Sequence, residues 1–220
     1  MMTAVDLIWV ADLAATGIFA VTGALVASRK RMDIFGFVWF AALTGVGGGT
    51  LRDLCLGVPV FWVETPLPLM VCFAVGLIMH FVAQWIGSRQ RVILWFDAYG
   101  LAFATIAGAL KATSLQEFAL ISVVMGIFSG SAGGIIRDVI GQETSIILRR
   151  EVYVSAAALG ATVFVVLHNF DVATMTAAAF GFLSCLLPRI LAIQFAIQLP
   201  AYRPRAGREF DPHNKSDQSE

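Results

Sequence analysis

Two short segments concentrate the groups best able to act on a solute inside a very apolar chain. Residues 45–53 read Gly-Val-Gly-Gly-Gly-Thr-Leu-Arg-Asp, and residues 130–138 read Gly-Ser-Ala-Gly-Gly-Ile-Ile-Arg-Asp. Each glycine costs a helix about 1 kcal/mol relative to alanine and bares carbonyls that no side chain shields. In lipid, such backbone persists only where protein buries it or water reaches it. Gly45, Gly47, Gly48, Gly49, Gly130, Gly133 and Gly134 are therefore expected to kink or break two helices beside a polar path. Hydroxyls at Thr44, Thr50, Ser129 and Ser131 stand beside these carbonyls and would contact a passing solute. Arg52-Asp53 and Arg137-Asp138 are expected to hold the two ends of that path as ion-paired latches. The competing reading is that the glycines only allow tight packing and each Arg-Asp pair caps a helix end.

Ionisable residues elsewhere in the apolar runs cost about 2.5–3.5 kcal/mol each at mid-helix on insertion scales, so each is a candidate. Asp12 and Asp97 are expected to attract cations into two vestibules; the alternative is a pairing with an arginine or a helix N-terminus. Lys111 is either a unique gating charge or a lysine snorkelling to the interface. Arg189 follows Pro188 and would pair internally or meet lipid headgroups, while His80 and His168 read as packing or interface residues. Cys55, Cys72 and Cys185 form no CxxC and read as small hydrophobes, so no metal is expected.

The glycines fit neither a phosphate loop, which needs Gly-Lys-Ser/Thr after a strand, nor a dinucleotide fingerprint in a βαβ unit. Gly-x-Ser-x-Gly and His-Glu-x-x-His are absent, and no serine and lysine face each other within a span. Neither enzymatic chemistry nor a cofactor is expected.

The elements that must position these groups are membrane spans. The chain of 220 residues is 58% hydrophobic and 14% charged, with a mean hydropathy of +0.80; soluble domains average about 45–50% apolar and about 25% charged. Zero formal net charge argues against nucleic acid, which needs a basic face. Seven apolar runs reach spanning length: 7–27, 34–51, 67–86, 92–110, 118–136, 152–168 and 172–191. Their continuity excludes the alternating strands of a membrane barrel. The first run carries its charges, Arg29, Lys30 and Arg31, after the apolar core, so it reads as a retained span and not a signal peptide.

Lysine and arginine fall almost entirely on one side of these spans. That side holds Arg29, Lys30, Arg31, Arg89, Arg91, Arg137, Arg149, Arg150, Arg203, Arg205, Arg208 and Lys215; the other holds Arg52 and Lys111. The positive-inside rule then places the N-terminus outside and the C-terminus in the cytoplasm.

The chain also repeats itself at a spacing of 85 residues. Asp12 falls on Asp97, Gly23-Ala24-Leu25 on Gly108-Ala109-Leu110, Ala27 on Ala112 and Val38 on Val123. Gly45 falls on Gly130, Gly48-Gly49 on Gly133-Gly134, and Arg52-Asp53 on Arg137-Asp138; at Lys111 the first copy has Val26. Each copy spans three helices, an odd number, so the second must enter from the opposite side. The expected fold is an all-α membrane protein of seven transmembrane helices, two inverted three-helix repeats plus one C-terminal helix. The domains are then residues 1–90, 91–170, a seventh helix at 171–199 and a polar, disordered cytoplasmic tail at 200–220.

Two three-helix copies, each with a glycine-rich second helix ending in Arg-Asp, a seventh helix and an N-out, C-in topology together resemble the trimeric intracellular cation (TRIC) channel family, in its bacterial branch. The resemblance covers about residues 5–200. It implies a homotrimer in the lipid of the bacterial inner membrane. It also implies a pore in each protomer between the two repeats, passing potassium and sodium down their gradients and constricted at the glycine kinks. A basic residue on the fourth helix of that family is linked to voltage-dependent gating, and Lys111 matches it by position. The second copy departs from three consecutive glycines, having Gly130-Ser-Ala-Gly-Gly, and residues 148–153 resemble only loosely the phosphoinositide-binding segment of animal members. Bacterial relatives are also catalogued as a glycine-transporter domain, which leaves a secondary transporter of a small solute such as glycine as the alternative.

Overall fold

The computed structural model describes residues 3–143 and 152–197, and every regular element among them is helical. The expected tail and most of the 148–153 stretch lie outside the described residues. Helix α1 (Ala4–Arg29) opens on a capping box, in which the Thr3 hydroxyl accepts from the Asp6 N–H and the Asp6 carboxylate accepts from the Thr3 N–H. Helix α2 (Ile34–Cys55) is capped by the Asp33 carboxylate, which accepts the Gly36 N–H at 2.8 Å. Between Pro59 and Pro66 the chain makes one short turn of helix, α3 (Phe61–Glu64). Then come α4 (Leu67–Val82), with Pro68 in its first turn and a 3-10 turn (Ala83–Trp85) after it, and α5 (Arg89–Ser114). The remaining helices are α6 (Ala119–Ile140), α7 (Val154–Asn169) and α8 (Thr174–Phe195).

Six of these helices are long and apolar enough to cross a membrane, and α7 is a shorter apolar one. Helix α3 is the element that the apolar runs do not show, being too short to carry a periodic pattern. Hydropathy ends the fifth run at residue 136, whereas α6 continues to Ile140, because Arg137 and Asp138 are buried within the bundle and do not close the helix.

The duplication is written into the backbone as well as the side chains. Arg31 and Gln116 both take left-handed conformations, φ 56° and 61°, and the Met32 N–H to Ala27 C=O bond (3.1 Å) is matched by Glu117 to Ala112 (3.2 Å). Gly57 and Gln142 do the same at φ 65° and 50°, with Val58 to Asp53 at 3.1 Å matched by Glu143 to Asp138 at 2.9 Å. Both pairs are Schellman closures of a helix end, placed 85 residues apart.

Packing follows the same symmetry. Helices α1, α2 and α4 contact one another as α5, α6 and α7 do, and the copies meet through α1 on α5 and α2 on α6. Helix α8 packs on α5 and α7. Helices α1 and α5 are the best buried spans, sealed by small residues such as Ala20, Ala24, Ala98 and Ala102, whereas α4 and α8 present Phe73, Phe81, Phe180 and Leu187 outward. The fold is thus two inverted three-helix repeats with α8 as the seventh span.

The glycines do not break their helices: α2 and α6 each run as one continuous α-helix. They serve the crossing of those two helices. A Cβ at Gly48 would collide with the Ser129 carbonyl oxygen, and one at Gly133 would lie 2.6 Å from the Thr44 carbonyl oxygen. Close backbone approach is how helices adhere in lipid, where no hydrophobic force drives them together.

Candidate functional site

Each repeat builds one buried charge cluster, and the two lie at opposite ends of the bundle. At the first, the Arg52 side chain is fully buried. Its Nη1 and Nη2 donate to the two Asp12 oxygens at 2.6 and 2.9 Å, and its Nε donates to Asp53 Oδ1 at 2.8 Å. Lys111 Nζ, from the other repeat, lies 2.8 Å from the same Asp53 oxygen. Asp53 Oδ2 accepts the backbone N–H of Phe61 at 2.9 Å. Asp12, Asp53, Arg52 and Lys111 sum to zero charge.

The second cluster repeats the plan. Arg137 Nη1 and Nη2 donate to the two Asp97 oxygens at 2.6 and 2.8 Å, and its Nε donates to Asp138 Oδ1 at 3.0 Å. Here too the opposite repeat intervenes, since Arg137 Nη1 also donates to Thr22 Oγ1 at 2.7 Å. Such planar, bidentate pairs are strong, and they offset the several kcal/mol that burying each ion costs.

These contacts change three expectations. Asp12 and Asp97 are not open cation attractors; each is spent on an arginine, the pairing alternative, because a buried guanidinium needs a counter-ion that matches its planar fork. Lys111 does not snorkel outward but turns to Asp53, with its side chain only 18% exposed. Of the four hydroxyls, Thr44, Thr50 and Ser131 donate to carbonyls four residues back in their own helices, at 2.6–2.7 Å. Ser129 Oγ, by contrast, is buried without a hydrogen-bond partner among the described residues.

Three spaces, each bordered by at least one buried carboxylate, are ordered along α1 and α5, which run antiparallel. The space at the Lys111 end, named outer after the sequence-based orientation, is about 280 Å3 and is lined by Ile8, Trp9 and Asp12 of α1, Lys111 and Ser114 of α5, and Phe61 and Glu64. The central one, about 10 Å3, lies against Asp12, Thr16 and Phe19 of α1, Ala104 of α5, Gly45, Gly48 and Gly49 of α2, and Ser129. The inner one, also about 10 Å3, is bordered by Val26 and Arg29 of α1, Gln90 and Asp97 of α5, and Arg137, Asp138 and Glu143. Spaces of that size hold about one water. A larger groove of about 650 Å3 between α2 and α4 is apolar, lined by Met32, Phe35, Trp39 and Phe73 among others, with no ionisable group among the described residues that line it.

The glycine patches therefore differ. Gly45, Gly48 and Gly49 border the central space, while Gly47 faces Ile136, Gly130 abuts Leu101 and Thr105, and Gly134 faces the Tyr153 hydroxyl. Arg189 is buried with its guanidinium 5.2 Å from the Tyr153 ring, so it turns inward. His80 packs edge-on to Phe37 and Phe81.

Phe61, Thr22, Arg29 and Glu143 join these sites without a motif or a repeat partner to mark them. The pairing of Asp12 with Arg52 does have a signal: the same separation of 40 residues recurs between Asp97 and Arg137.

A family model described as "Glycine transporter" matches the chain twice, over residues 9–84 and 94–169. A Vibrio cholerae serotype O1 membrane protein is 38% identical over 208 residues, covering 91% of this chain and 85% of its own length. The inner membrane protein YadS of Escherichia coli (strain K12) is 37% identical over 202 residues, covering 89% and 96%. Among solved structures, the TRIC trimeric intracellular cation channel orthologue from Rhodobacter sphaeroides superposes with a TM-score of 0.84 at 44% identity, over 86% of this chain and 98% of that one. The fold and its paired sites define a seven-helix membrane protein of inverted repeats. The chain belongs to the TRIC family, in its bacterial branch.

Proposed function

We propose that the chain is a passive monovalent cation channel, passing potassium and sodium, with one path per protomer between the inverted repeats. The observation that carries this reading is the ordered series of outer, central and inner spaces along α1 and the antiparallel α5, bounded at each end by a neutralised arginine. Likeness to the Rhodobacter sphaeroides channel supports it. Conduction uses water, the bared carbonyls at Gly45, Gly48 and Gly49, and the Ser129 hydroxyl. Arg52-Asp53 and Arg137-Asp138 act as latches at the two ends, and Lys111 is the gating charge.

In this reading the protein is a homotrimer of the bacterial inner membrane, with the N-terminus and the Lys111 end outside and the C-terminus in the cytoplasm. Residues 1–90 and 91–170 form the repeats, 171–199 the seventh helix and 200–220 a tail.

Glycine transport, favoured by the description of the family model, meets two physical obstacles. The central space takes about one water, too little for a glycine zwitterion, and both arginines that would bind its carboxylate already hold aspartates. Planar-bilayer recording of the purified protein separates the two functions. A channel gives unitary cation current steps; saturable glycine uptake into proteoliposomes without such steps would overturn the proposal.

A further inference from the structure

Two side chains border both the outer and the central space: Asp12 and Phe61. Asp12 is pinned by two hydrogen bonds to Arg52. Phe61 is held in another way. Its ring lies against the backbone of Gly49, where an added Cβ would come within 2.6 Å of Cε1, and its centroid is 5.7 Å from the Arg52 guanidinium. It rides on α3, a helix of four residues with no buried residue. Two hydrogen bonds join the partial packing of the Phe61 and Trp62 rings on the core in fastening α3 to the bundle: Asp53 accepts the Phe61 N–H, and the Trp62 indole N–H donates to the Thr50 hydroxyl at 2.8 Å.

A four-residue helix with no fully buried residue, held by two hydrogen bonds and two partly buried rings, opens at lower free-energy cost than the long spans it lies on. An apolar ring at a narrow constriction blocks ions by excluding water. We infer that Phe61 is the outer gate of the path, an apolar plug carried on α3 and held shut by Asp53 and Thr50. The inference rests on the channel reading for its function, but the occlusion itself can be measured without any current. Gly134, the register counterpart of Gly49, has the Tyr153 hydroxyl against it where Gly49 has the Phe61 ring.

The test uses the full chain with its three native cysteines replaced and Ser129→Cys introduced beside the central space. Silver ion, a small monovalent cation that reacts with thiols, is added to the Lys111 side or the opposite side of oriented proteoliposomes. The fraction of the introduced thiol still able to react with a maleimide after denaturation is followed in time. Phe61→Ala is expected to speed modification from the Lys111 side roughly tenfold, with the opposite side unchanged. Trp62→Phe, which removes the strap to Thr50 and trims a ring packed on the core, is expected to speed it by a smaller factor and keeps the test alive should Phe61→Ala fail to fold.

Unchanged rates in the variants that fold, or equal acceleration from both sides, would overturn the gate. Bilayer recording of the unsubstituted chain, Phe61→Ala and Trp62→Phe, all retaining Ser129, distinguishes the two readings. Unitary currents with unchanged silver access defeat the gate and leave the channel standing. Sided acceleration of silver access without currents in any variant leaves the plug standing and defeats the channel.

Discussion

Lys111, on the second repeat, ends 2.8 Å from Asp53, on the first. Its counterpart by the 85-residue register is Val26, which borders the inner space beside Asp138. One substitution between the copies therefore makes the two ends of the bundle electrostatically unlike, although each arginine holds its aspartate 40 residues back with both Nη atoms and the following aspartate with Nε.

Lys111→Met should convert the outer cluster from neutral to a net charge of −1 while leaving the Arg52 bonds in place. Because the outer space is open, the added negative potential should concentrate cations there. Unitary potassium conductance is expected to rise at low salt, and the gain should vanish near 1 M salt, where the screening length falls to about 3 Å. Equal conductance of wild type and variant at all salt concentrations would remove Lys111 from the path.

Arg137→Ala should be a stability defect before it is a transport defect. Asp97 is buried, and the two hydrogen bonds to its carboxylate in the second cluster come from Arg137. Breaking such a buried pair from one side costs about 3–5 kcal/mol. Thermal unfolding in detergent is expected to show a large loss for Arg137→Ala and a smaller one for Arg137→Lys, which keeps the charge but not the fork. An Arg137→Ala protein as stable as wild type would mean that the pair contributes nothing to the fold.

Much of this architecture is legible from sequence for one physical reason: lipid demands long apolar helices, and a gene duplication leaves its register in residue identities. Asp12/Asp97 and Arg52-Asp53/Arg137-Asp138 stand out as charges where charges are costly. Their mutual pairing is readable only as one of two alternatives, because helical neighbours lie three or four residues apart whereas Asp12 and Arg52 meet across two helices. Phe61 carries no signal at all, being one aromatic among 17 phenylalanines on a helix too short for a period. The glycines suggest breaks because glycine weakens helices in water; in the bundle, the close packing of α2 on α6 outweighs that propensity.

Gly48→Ala and Gly133→Ala are expected to push α2 and α6 apart, since the added methyl in each case meets backbone of the opposite helix and not a side chain that can swing away. Overpacking of this kind typically costs about 1–3 kcal/mol. Gly17→Ala is the control, for its Cβ would sit at an ordinary 3.6 Å from Val71 Cγ1. A thermal shift confined to the first two variants supports the crossing; the same small shift in all three would return the glycines to some other purpose.

At the inner end, Glu143 lies 3.3 Å from Arg29 and 3.5 Å from Lys30, and Arg29 also donates to Gln90. These side chains are partly exposed, so the pairs add little to stability, but Arg29 and Glu143 both border the inner space. Glu143→Gln keeps the shape and removes one negative charge, leaving the two cations at that mouth less compensated. Cation current entering from the inner side should fall at low salt while current entering from the outer side falls less, giving a rectifying current–voltage curve. Screening should restore symmetry at high salt. The measurement is unitary current at both polarities across a range of potassium chloride concentrations, with orientation fixed by proteolysis of a C-terminal tag. A variant that rectifies no more than wild type at low salt would show that ions do not pass Glu143 and that the path leaves the bundle elsewhere.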